Sequence, residues 1–124
     1  MGDVLIDACG WAALIDGAFN IDASLSQLVG PPHFILVDLV LDELEAIESS
    51  RPRGKKLMLD LLLQRSTLVD SNPAHTDDAL LQIAIERAIP ILTVDADLKR
   101  RTLDAGVGIL EIVKGKNIRL VNGL

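Results

Sequence analysis

Acidic side chains recur in this chain where apolar runs end. Asp7 follows Val4, Leu5 and Ile6. Glu43 stands just beyond the apolar run 34–37, and Asp95, with Asp97 two residues on, closes the run 89–94. Asp77 and Asp78 open an amphipathic run in the stretch TDDALLQIAIERAIPILTVDADLKRR. A carboxylate set after a buried strand is costly unless something pairs with it. Any one of these acids is explained by capping a following helix, but five at matching junctions point to a common oxygen-lined site. Such a donor set, without His or Cys, suits Mg2+ or Mn2+ rather than zinc. Like charges crowded together would raise one another's pKa unless a cation compensates. A cation held there would acidify a water for in-line attack on a phosphodiester and stabilise the leaving oxygen.

Other chemistries find less support. The chain has no Gly-rich phosphate loop, no GxSxG elbow and no Ser, Thr or Cys visibly paired with a His. His33 and His75 read as loop residues. A phosphoryl-accepting receiver domain also gathers acids at strand ends, but it wants an acidic pair directly after the first strand, where this chain has Asp7, Ala8 and Cys9.

The acids need a scaffold that brings strand ends together. Strands are expected at 4–6, 34–37, 67–69, 90–94 and 109–113, with 118–121 as an added edge strand. Helices are expected from 11–15, after a Ser24/Gln27 capping box, at 39–49 with Asp38 as N-cap, at 57–63, from Thr76 or Asp77 onward, and around 99–103 before Gly106 and Gly108. Ser71-Asn72-Pro73 and Gly115-Lys116-Asn117 read as turns. Strands alternating with helices at short connections imply α/β, a three-layer α/β/α architecture with a central, mainly parallel sheet of about five strands. In such sheets ligands bind at the carboxyl ends of the strands, which is where Asp7 and Asp95 fall.

Composition sets the bounds. The chain has 124 residues, 49% hydrophobic and 2% aromatic, which fits a single domain, 1–124, with an aliphatic core. The longest apolar run is far short of the roughly 20 residues of a membrane span, and Asp3 and Asp7 interrupt any leader-like segment. The lone Cys9, read as a small core hydrophobe, fits a reducing, cytoplasmic setting. A net charge of −6 weighs against nucleic acid, yet cations cluster at 51–56, 99–101 and 114–119.

The motifs together resemble a PIN domain, the metal-dependent nuclease fold of VapC-like toxin ribonucleases and rRNA-processing factors. The resemblance runs from Val4 to about Ile112 and rests on LIDA, LDELEAI, the DDA helix start and TVDADLKRR. The last of these is similar to the T-x-D-x-x-L-K-R-R segment of the rRNA-processing subgroup. Carried over position by position, the resemblance makes Asp7, Glu43 and Asp95 metal ligands, with Thr93 as the supporting hydroxyl. The third acid is Asp77, by its spacing of eighteen positions to Asp95, or Asp78, which directly precedes Ala79. Asp97 matches an additional acid of many members. The resemblance implies hydrolysis of single-stranded RNA with Mg2+ or Mn2+, frequent homodimers and, for a toxin, a bound antitoxin protein. Lys99, Arg100 and Arg101 are the phosphate-contact candidates, and 118–124 could cover a dimer partner. The competing expectation is a PIN-fold scaffold that binds RNA or metal without turnover.

Overall fold

A computed structural model describes residues 2–71, 75–114 and 116–122. Strand β1, Asp3–Ile6, lies at the middle of a six-stranded sheet in the order β3-β2-β1-β4-β5-β6. The other strands are β2 (His33–Val37), β3 (Ser66–Val69), β4 (Ile91–Leu92), β5 (Ile109–Val113) and β6 (Asn117–Val121). The first five are mutually parallel, and β6 runs antiparallel along β5 with Leu110 opposite Leu120. Parallel strands buried on both faces must be apolar throughout. Accordingly Val4, Leu5, Ile6, Phe34, Leu36, Val37, Ile91, Leu92 and Leu110 have no exposed surface.

The helices are α1 (Ala8–Asp16), α2 (Ile21–Val29), α3 (Asp38–Ser50), α4 (Leu59–Gln64), α5 (Thr76–Arg87) and α6 (Ala96–Asp104). The crossovers from β1 to β2 and to β3 put α1 against α3, and those leading to β4 and β5 put α5 against α6, giving three layers. Trp11, fully buried on α1, meets the ring of Phe34 edge-on at 5.8 Å and donates from Nε1 to the Leu57 carbonyl (2.7 Å). No helix among the described residues is long and apolar enough to cross a membrane.

Several boundaries differ from the sequence expectation, each for a local reason. Helix α2 starts three residues before Ser24, at Ile21, because Asn20 Oδ1 accepts from the Ala23 amide and takes the capping role. Helix α1 begins at Ala8, capped by Asp7, and so includes the expected start at Trp11. His33 is the first residue of β2, with Nε2 2.7 Å from Thr67 Oγ1, so it belongs to the sheet. Strand β4 keeps only two residues, because Thr93 turns its hydroxyl to the acids beyond the ladder. Helix α4 runs Leu59–Gln64, after Met58 in a left-handed conformation. The turns expected at 71–73 and 115–117 and the tail 118–124 reach into Asn72, Pro73, Gly115, Gly123 and Leu124, outside the described residues.

Candidate metal centre

The chain runs outward from β1 through β2 to β3, then returns to the other side of β1 for β4 and β5. The order therefore reverses between β1 and β4, and their carboxyl ends flank the crevice where open α/β sheets bind ligands. The residues directly beyond those ends are Asp7 and, after Thr93 and Val94, Asp95.

Asp7 is 6% exposed. Its Oδ1 accepts from the Gly10 amide at 2.7 Å, capping α1, and its Oδ2 accepts from Thr93 Oγ1 at 2.5 Å and from the Cys9 thiol at 3.2 Å. Burial pushes the Asp7 carboxyl above its ordinary range. The bonds from Thr93, Cys9 and Gly10 pull it back, and the charge of Asp95 adds to the rise. Cys9 is thus a neighbour of the site as well as a small hydrophobe, and burial raises its thiol in turn. Gly10 is compelled by packing: a Cβ there would lie 2.4 Å from the Leu92 carbonyl oxygen and 2.9 Å from Asp7 Oδ1.

Thr93, fully buried, joins the two strand ends. Its hydroxyl donates to Asp7 and accepts from the Asp95 amide at 3.0 Å. Asp95 Oδ1 accepts from the Leu98 amide at 2.9 Å and caps α6, where a carboxylate is also favoured by the helix dipole.

The other two crossovers bring the remaining acids. Glu43, in the second turn of α3, accepts at Oε2 from Thr76 Oγ1 at 2.6 Å, which ties α3 to the start of α5. Thr76 was expected only as a helix cap. The cap residue is His75, and the Thr76 hydroxyl is spent on Glu43 instead. Asp77 follows, its carboxyl raised first by burial, then by the charges of Asp95 and Asp7, with Glu43 adding and Arg101 opposing. Asp77 therefore shares an electrostatic neighbourhood with all three other acids.

Asp78 faces away. Its carboxylate accepts from Arg101 Nη2 at 2.6 Å, which holds it below the usual range. Of the two alternatives open in the sequence, Asp77 feels the charges of Asp95, Asp7 and Glu43, whereas Asp78 is paired with a guanidinium. Asp97 likewise pairs with Arg100 at 2.5 Å on an exposed face. Lys99 lies 3.4 Å from Glu111, which also binds Arg119. All three basic residues of α6 are thus engaged by acids. Asp38, expected as an N-cap, accepts at Oδ1 from the Leu39 amide and from the amide and hydroxyl of Ser71, and Ser71 holds it below its ordinary range.

The polar side chains gathered beyond these strand ends offer carboxylate and hydroxyl oxygens, with the Cys9 thiol beside Asp7. Among the described residues, no three His, Cys, Asp or Glu side chains lie close enough to form a direct cage. Mg2+ keeps several waters and engages only one or two carboxylates, so mutually repelling acids spaced across a crevice fit such an ion.

The family model described as PIN like domain matches residues 4–115. The chain belongs to the PIN-like domain family. Among solved structures, the PIN domain endonuclease Utp24 is similar with a TM-score of 0.77 at 20% identity, over 98% of this chain and 94% of that one. A PilT N-terminus domain protein from the hyperthermophilic archaeon Sulfolobus solfataricus P2 is similar with a TM-score of 0.53 at 15% identity, over 88% and 86% of the two chains. These likenesses support the three-layer PIN fold, and PIN domains are generally nucleases. The comparison with curated proteins returned no match.

Proposed function

We propose that this PIN-like protein is a divalent-metal-dependent endoribonuclease that hydrolyses phosphodiester bonds of single-stranded RNA at the crevice between β1 and β4. The observation that carries the reading is that one buried hydroxyl, that of Thr93, binds the Asp7 carboxylate and the main-chain amide of Asp95, with Asp77 in the field of Asp7, Asp95 and Glu43. Asp7, Glu43, Asp77 and Asp95 would hold Mg2+ or Mn2+. When bound, the ion supplies charge neutralisation for the attacked phosphate and acidification of a water. The protein's own part is orientation. Gly10 and Thr93 fix both oxygens of Asp7, the Leu98 amide fixes Asp95, and Thr76 fixes Glu43. Asp77, whose carboxyl is raised by burial and by the neighbouring acids, would regain its charged form beside a bound cation.

The test is cleavage of a labelled single-stranded RNA with Mn2+, with EDTA, and by Asp95→Asn. Metal-dependent cleavage that EDTA abolishes and Asp95→Asn reduces by about a hundredfold or more supports the proposal. Cleavage unaffected by EDTA refutes it. The second reading, a scaffold that binds RNA without turnover, draws on the net charge of −6 and on the pairing of Lys99, Arg100 and Arg101 with acids. It expects RNA binding with no product under any metal condition.

A further inference from the structure

With the cations of α6 taken up by carboxylates and Arg119 held by Glu111, the densest run of positive charge left lies after α3. Arg51, Arg53, Lys55 and Lys56 fall within six residues that contain no acid. This loop is anchored at several points. Arg51 donates through Nη1 (2.7 Å) and Nη2 (3.0 Å) to the two carboxylate oxygens of Asp16 at the end of α1, and through Nη1 to the Lys55 carbonyl (3.1 Å). Residues Arg53–Lys55 form a single 3-10 turn, closed by Lys55 N donating to the Pro52 carbonyl at 2.9 Å. Lys56 Nζ donates to the Glu48 carbonyl at 2.9 Å, and the Leu57 amide donates to Glu48 Oε1 at 2.9 Å. The Leu57 carbonyl is in turn held by Trp11 from the core.

Held at both ends, the loop presents Arg53 and Lys55 to solvent, and neither has a carboxylate partner among the described residues. A preformed backbone reduces the ordering cost of binding. Beside the loop lies a groove of about 620 Å3, walled by Ile15, Asp16, Arg51, Pro52, Lys55 and Lys56. That volume lies in the range that accommodates a nucleotide-sized ligand.

We propose that this groove is a phosphate-binding subsite that grips the backbone of a single-stranded RNA away from the scissile bond. The inference rests on the ribonuclease reading above. Glu43 is seven residues before the end of α3, and a rise of 1.5 Å per residue puts the loop on the order of 10 Å from the acids along that helix. Helix α3 runs from the carboxyl end of β2 back toward the amino edge of the sheet, so an RNA strand reaches this cationic foothold by following the length of that helix away from the crevice. In a protein of charge −6, that foothold offsets the repulsion of the backbone.

The experiment is the double variant Arg53→Glu/Lys55→Glu: Lys55 walls the groove, Arg53 stands on the same exposed turn beside it, and both lie outside the acid cluster. Binding of a single-stranded RNA of about twelve nucleotides is read by fluorescence anisotropy over a salt series, in the Asp95→Asn background so that the RNA stays intact. Turnover of the same RNA and of a dinucleotide, too short to span from crevice to loop, is read in the wild-type background. Loss of two phosphate contacts lowers the slope of log K against log salt by about 1.4 and weakens binding about 25-fold at 0.1 M salt. KM for the long RNA rises, dinucleotide cleavage stays unchanged, and the melting curve matches that of the parent. An unchanged salt slope with normal cleavage overturns the subsite and leaves the nuclease reading standing. An equal loss on both substrates also overturns it, because the effect is then not one of reach. If the parent cleaves neither substrate yet the slope still falls, the nuclease reading fails and the subsite holds.

Discussion

Replacing Thr93 with valine probes the connection between the two strand ends. Valine keeps the shape of threonine in a position with no exposed surface, so the packing survives while two hydrogen bonds vanish. The bond to Asp7 serves a buried carboxylate, a class worth about 1.5–3 kcal/mol. The Asp95 amide also loses its acceptor, for about 1 kcal/mol or less because it is only partly buried, and valine's added methyl recovers some of the loss. The net cost is about 1.5–3 kcal/mol. With a melting entropy near 2.1 cal/mol/K per residue, a chain of 124 residues loses about 6–12 °C in Tm. The deficit depends on pH in a definite direction. Thr93 is the foremost of the bonds pulling the raised Asp7 carboxyl downward, so its removal raises that group further. A folded-state pKa above the unfolded one means the fold gains relative stability on proton uptake. The deficit is therefore largest well above the folded pKa of Asp7 and narrows as pH falls through it. Melting curves from about pH 4 to about pH 8, together with the pH profile of cleavage, read both effects, and the acid limb of the profile moves to higher pH. A deficit independent of pH refutes the reasoning, as does a Thr93→Ser variant that loses as much as valine.

Asp77→Asn and Asp78→Asn separate the neighbouring acids. The first lowers single-turnover cleavage about a hundredfold or more, whereas the second leaves it within a few-fold of wild type. Asp77→Asn also raises Tm at neutral pH, because the folded state holds that carboxyl above its ordinary range. The gain fades as pH falls through the folded pKa and the wild-type carboxyl takes up its proton, which melting curves at two pH values measure. Gly10→Ala forces a methyl to 2.4 Å from the Leu92 carbonyl oxygen and costs about 1–3 kcal/mol, seen as a lower Tm together with weaker cleavage, since the helix that Asp7 caps must shift.

The sheet was readable because β1, β2 and β4 are mostly Val, Ile, Leu and Phe, and Asp7 and Asp95 because each stands just beyond such a run. Those two could be named as candidates for that reason, whereas Glu43 and the pair Asp77 and Asp78 were narrowed down by the resemblance to the PIN motifs. Partnership was not readable. Nothing local distinguishes Asp77 from Asp78, and what separates them is Arg101, twenty-three positions on. The Thr76 bond to Glu43 joins residues thirty-three apart, so capping rules assigned that hydroxyl to its own helix. The run KRR in α6 looks like a basic face in sequence, but Glu111, Asp97 and Asp78 take it up one by one. Ser24 and Gln27 matched a capping box, but Asn20, four residues earlier, is the stronger competitor for the first amides of α2.

Strands β1 and β4 share only two register pairs, Leu5 with Ile91 and Ile6 with Leu92, at the line where the halves of the sheet meet. The separation of the main chains that carry Asp7 and Asp95 is consequently set by a short hydrogen-bonded ladder, in which the Leu5 amide donates to the Pro90 carbonyl at 3.0 Å and the Asp7 amide to the Leu92 carbonyl at 3.4 Å. A change that tilts those few bonds would move one carboxylate relative to the other without altering either acid. The candidate centre thus inherits its dimensions from the peptide backbone beneath it.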